Sequence, residues 1–112
     1  MSAFNILRAK IKCPNCNVEY TGYLQFKFGD TWLLEYNIGD KIKWGGNDIG
    51  RPGLAEVRVY GILEDNTCPN CRKNNPQEEY DIIVLKDVID HINIIHDIND
   101  YLTDDANFKI IM

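Results

Sequence analysis

The tetrapeptide C-P-N-C occurs twice, at Cys13-Pro14-Asn15-Cys16 and at Cys68-Pro69-Asn70-Cys71, and no other cysteine is present. Two residues between thiols let both sulfurs turn toward one point from a tight loop. Two such loops supply four soft thiolates, the number a tetrahedral structural zinc requires. One C-x-x-C is a weak signal, but a matched pair using every cysteine of a short chain is a strong one. The spacing therefore predicts that Cys13, Cys16, Cys68 and Cys71 bind one Zn2+ together, across the roughly fifty residues that separate the pairs.

Other fates of these cysteines have weaker support. Asn5, Arg8 and Lys10 interrupt any apolar run between Met1 and Ile11, so nothing there reads as a signal peptide. Disulfides belong to oxidising compartments, and the reading is a cytoplasmic chain with reduced thiols. A redox C-P-x-C places its first thiolate at a helix N-terminus, which lowers the thiol pKa. Here Cys16 is followed by a strand-like alternation from Val18 to Phe28, and Cys71 by the polar turn Arg72-Lys73-Asn74-Asn75-Pro76. Iron, disulfides and free thiols stand as the alternatives to zinc.

At 112 residues the chain reads as one domain, 1–112, of a size at which a metal staple matters. No apolar run reaches transmembrane length. The formal charge is −5, and four thiolates around Zn2+ would take it to about −7. From Asp87 to Met112 six aspartates face one lysine, Lys109. Nucleic-acid binding normally needs a basic footprint. Only short scatterings such as Arg8, Lys10 and Lys12 are present, so an acidic face toward a basic protein is the better expectation.

Period-2 patterning makes the chain mainly β, a small antiparallel sheet with an acidic C-terminal segment. Candidate strands cover Phe4–Lys12, Val18–Phe28, Trp32–Tyr36, Lys41–Trp44, Leu54–Leu63 and Tyr80–Leu85. Gly22 interrupts the second, where a bulge or a close approach fits. Trp32, alternating with Leu33, reads as core. Val88, Ile92, Ile95 and Tyr101-Leu102 fall at roughly helical spacing, with Asp87 placed to cap such a helix. Lys86-Asp87 as the turn of a hairpin joining Tyr80–Leu85 to Val88–Ile95 is the favoured reading, followed by an acidic tail with room for a short helix.

The glycine-rich stretch Gly45-Gly46-Asn47-Asp48, flanked by Trp44 and Arg51, is expected to form a defined turn. It has no Gly-Lys-Ser/Thr and is not a phosphate loop. Trp44 and Arg51 are residue types common at interface hot spots. With Asp97 and Asp100 of the acidic segment they are the candidate protein-binding residues, although Trp44 in the core is the competing assignment. His91 and His96 read as surface or hairpin residues. Ser2 is the only serine, and no hydrolase, zincin or dinucleotide motif occurs, so the chain is read as a non-enzyme.

The two C-P-N-C motifs and their adjoining strands resemble the knuckles of the zinc-ribbon and rubredoxin-like group, over perhaps a third of the chain. Many members of that group carry glycine just after the second cysteine of a knuckle, where Asn17 and Arg72 stand here. The Val18–Leu63 stretch is long for a plain ribbon and implies an inserted sheet. The resemblance implies one metal on all four cysteines and leaves function open, since ribbons bind nucleic acids, dock proteins or act as structural plugs. The expected function is non-catalytic protein binding, of an adaptor or bacterial immunity type that covers a basic surface. A rubredoxin-like iron electron carrier and a nucleic-acid-binding ribbon are the alternatives.

Overall fold

The computed structural model describes residues 4–75, 78–101 and 107–111. Its main sheet has seven strands. Six follow the order β4 (Glu35–Asn37), β1 (Asn5–Lys12), β2 (Glu19–Phe26), β6 (Glu56–Leu63), β7 (Glu79–Leu85) and β8 (Val88–Ile94). The seventh, β9 (Phe108–Ile110), pairs with β6. A second sheet joins β3 (Gly29–Asp30) to β5 (Asp48–Ile49). Among the described residues of the acidic segment, Ile98–Tyr101 forms a 3-10 turn. The expected β class holds, with one addition: β4 runs parallel to β1, through Ile6↔Glu35, Leu7↔Tyr36 and Arg8↔Asn37.

Alternation builds the core. Leu7, Ala9 and Ile11 of β1 are buried, with Tyr20, Leu24 and Phe26 of β2, and Val57, Val59 and Leu63 of β6. Arg8, Lys10 and Lys12 take the other face of β1 and are exposed. Gly22 is a close approach, since the β1–β2 ladder runs unbroken through Ala9↔Gly22. A Cβ at Gly22 would lie 2.5 Å from Ile11 Cγ1 and 3.1 Å from Leu63 Cδ1.

The β7–β8 hairpin forms around Lys86 and Asp87, both with positive φ (49° and 67°), as a two-residue turn matched to strand twist requires. The Asp87 carboxylate accepts the Gly53 N–H at 3.1 Å, which fastens the glycine-rich loop to the hairpin tip.

Two strand assignments change. The Trp32–Tyr36 strand shrinks to Glu35–Asn37, and Trp32 is 62% exposed rather than core. Leu33 takes a left-handed φ of 58° and donates its N–H to the Phe4 carbonyl at 2.9 Å, so the period-2 pattern fails there. Tyr36 is still buried. Lys41–Trp44 is not a strand: Lys41 makes an isolated bridge to Val88, and the Ile42 N–H donates to the Asp87 carbonyl. No helix among the described residues is long and apolar enough to cross a membrane.

Candidate metal centre

Each C-P-N-C is the tip of a hairpin in the main sheet. The first joins β1 to β2 and the second lies in the β6–β7 connection. Because β2 pairs antiparallel with β6, through Leu24↔Leu63, both tips emerge at the same end of the sheet. Sheet topology thus joins cysteines that are far apart in sequence, while the stretch between the knuckles supplies β2, β4 and β6 to the main sheet and β3 and β5 to the second sheet.

The two knuckles repeat one backbone design. Cys13 N–H donates to the Val18 carbonyl and Cys68 N–H to the Lys73 carbonyl, both at 3.0 Å. Asn17 N–H donates to the Cys13 carbonyl and Arg72 N–H to the Cys68 carbonyl, both at 2.8 Å. Asn17 and Arg72 have φ of 61° and 62°, the left-handed conformation that favours glycine. Asparagine and arginine thus hold, just after the second cysteine of each knuckle, a conformation in which glycine would be unstrained.

Cys13 and Cys68 are fully buried, while Cys16 and Cys71 are half-buried. The Sγ atoms of Cys13 and Cys71 lie 3.7 Å apart, as do those of Cys16 and Cys68, and all four lie within 4.8 Å of one another. A tetrahedron with Zn–S bonds of about 2.3 Å has sulfur–sulfur edges of about 3.8 Å. Four thiols at this spacing fit a tetrahedral ion. Among the described residues this is the one cluster of three or more potential ligands of that kind.

Hydrogen bonds tune the sulfurs. Asn70 Nδ2 donates across the knuckles to Cys16 Sγ at 3.5 Å. That bond first, and the Val18 N–H second, lower the Cys16 thiol to about 6. Backbone N–H groups of Cys71 and Asn70 lower Cys68. The Lys73 N–H pulls Cys71 down, but burial and the three neighbouring sulfurs outweigh it and hold that thiol at about 11. Without an ion the four sulfurs do not all ionise together; a divalent cation removes that repulsion. Asn15 Nδ2 donates to the Asn74 carbonyl at 3.1 Å, a second tie between the knuckles.

The candidate protein-binding residues are dispersed. Trp44 is half-buried and packs edge-on against Phe28, with ring centroids 5.3 Å apart. Its Nε1 is buried without a hydrogen bond among the described residues. Arg51 is exposed. Asp97 is exposed, and its Oδ1 accepts the Asn99 N–H at 2.9 Å. Asp100 contributes backbone to the 3-10 turn; its side chain, and Asp104 and Asp105, lie outside the described residues. His91 and His96 are exposed and line an open groove of about 560 Å3 with Glu56, Arg58 and Asp81. Arg8, Lys10 and Lys12 form a row on β1, with Glu19 opposite Lys12 and Glu35 opposite Ile6.

Three features escaped the sequence reading. Asn5 is fully buried, and its side chain holds three backbone groups. Asp81 is buried, accepting from the Tyr101 hydroxyl and the His96 N–H, with Arg58 Nε at 3.9 Å. Trp32 and Leu33 are the third. Asn5 and Asp81 do carry a signal, a lone polar residue inside an apolar strand pattern.

No family model, curated protein or solved structure matches this chain. What the fold and site define is a mainly β protein with a four-cysteine cluster of metal-binding geometry, compatible with a zinc-ribbon-like centre.

Proposed function

We propose that this chain is a non-catalytic, zinc-stabilised protein-binding module of the adaptor or immunity type. One observation carries the reading: four sulfurs at tetrahedral spacing complete the coordination of one ion and leave no position for a substrate. Cys13, Cys16, Cys68 and Cys71 would hold the ion, and the ion would close two hairpin tips against each other. Asn70 and the knuckle N–H groups would offset the thiolate charge. The acidic balance of the chain favours a basic protein partner.

The test is cross-linked capture from the native cell, followed by reconstitution of the complex from purified, zinc-loaded components. A defined complex that weakens with salt supports the reading. Failure of purified components to associate, with or without zinc, contradicts it.

The hydrogen bonds to Cys16, Cys68 and Cys71 support a second reading, because N–H···S bonds raise the potential of iron–thiolate centres. In that reading iron occupies the site and the protein carries electrons. A red protein with reversible one-electron bleaching would establish it, and a colourless zinc protein would exclude it.

A further inference from the structure

Resting on the protein-binding reading, this inference names the surface. Trp32 and Leu33 are 62% and 59% exposed, and they are the only neighbours in sequence among the exposed large apolar residues described. Their backbone is held from both sides. The Leu33 N–H donates to the Phe4 carbonyl at 2.9 Å, and the Ile6 N–H to the Leu34 carbonyl at 2.9 Å. Asn5 Oδ1 accepts the Leu34 N–H at 3.1 Å, while Asn5 Nδ2 reaches the Phe28 and Asp30 carbonyls at 3.2 and 3.0 Å. On the other side, buried Thr31 donates from N and Oγ1 to the Asn47 carbonyl, and Asn47 Nδ2 returns to the Thr31 carbonyl and hydroxyl.

This frame keeps Leu33 at a φ of 58°, which costs a side-chain-bearing residue free energy and persists only where surrounding contacts over-determine it. Neither side chain repays the cost by filling the core, since both face outward. A tryptophan on a backbone held in this way is the kind of element that anchors an interface at reduced entropic cost, with the neighbouring leucine adding apolar area. Its surroundings are acidic: Asp30 and Glu35 flank it in the chain, and Asp48 lies opposite Asp30 in the β3–β5 pair. Lys43, whose carbonyl accepts the Asp30 N–H, and Lys27, which shares a groove with Phe4, are cations of this neighbourhood.

We propose that Trp32 and Leu33 form a preorganised anchor that enters an apolar pocket rimmed by lysine or arginine on a different protein. The three carboxylates select against the other occupants. Anionic headgroups would be repelled, and a second copy would bring the same acidic flank and the same net charge of −5.

The test places a photo-crosslinking benzoylphenylalanine at position 32 of the full zinc-loaded chain in its native cell, with controls at Tyr23 and Ile94, which are also exposed. The expected result is a cross-link from position 32, and from neither control, to an apolar site on another protein beside lysine or arginine. In the purified pair, Trp32→Ala should weaken binding by about tenfold or more while the melting temperature stays unchanged. Cross-links from position 32 to lipid or to a second copy would overturn the proposal. Cross-links to a protein from the control positions alone would overturn the anchor and leave the protein-binding reading standing. No protein cross-link from any position would count against both.

Discussion

Asn70, in the second knuckle, donates from Nδ2 to the Cys16 sulfur of the first at 3.5 Å. This bond is the largest cause of the lowered Cys16 thiol, at about 6 against an ordinary 9.0. A depressed thiol favours the thiolate, so protons compete with metal for Cys16 only as pH falls toward 6. Asn70→Ala should move that competition to higher pH and weaken zinc binding by about ten- to a hundredfold, more at pH 6.5 than at pH 8.5. Competition against a chromophoric chelator reads the effect. Cys71, held at about 11, keeps its proton in the metal-free protein at neutral pH, so zinc uptake should release protons. Equal affinity of the variant at both pH values would remove Asn70 from the account.

Arg72→Gly should stabilise the zinc-loaded protein by about 0.5–1 kcal/mol. The left-handed conformation at φ 62° costs arginine more than the flexibility of glycine costs the fold. Asn17→Gly, at φ 61°, should give less, because asparagine tolerates that region. Urea unfolding with zinc in excess compares the two. Destabilisation by Arg72→Gly would point to a role for the arginine side chain.

The two tryptophans should behave oppositely. Trp44→Ala removes a half-buried ring from the edge of Phe28 and should cost about 1–3 kcal/mol. Trp32→Ala, at an exposed position, should stay within about 0.5 kcal/mol. A large loss at Trp32 would show that it covers core.

Much of this was legible from local pattern. The cysteine pairs, the strands on either side of the first cysteine turn and the favoured β7–β8 hairpin follow from spacing and alternation. Of the two readings open at Gly22, bulge or close approach, the structure has the second. The meeting of the knuckles depends on β2 pairing with β6, a long-range contact that no local pattern encodes. Trp32 was misplaced because Leu33 leaves the extended region under constraints from Phe4 and Asn5, some thirty residues earlier in the chain. The parallel pairing of β4 with β1 was hidden for the same reason. Asp81 looks like an interruption of an apolar strand until the segment bearing His96 and Tyr101 folds over it.

That segment supplies a further prediction. Asp81→Ala removes the acceptor of the buried Tyr101 hydroxyl bond and of the His96 N–H, and should cost about 1–3 kcal/mol. Hydrogen exchange should accelerate first at Ile98–Tyr101. Uniform acceleration across the sheet instead would deny Asp81 a local clamping role.

The central claim is that four cysteines close around one ion and thereby hold the fold. X-ray absorption at the zinc edge, on protein purified without reduction or refolding and paired with metal content, tests it most directly. The account predicts one zinc per chain and four sulfur ligands at about 2.3 Å. Nitrogen or oxygen in the coordination shell, or metal-free protein with its cysteines paired in disulfides, would contradict it.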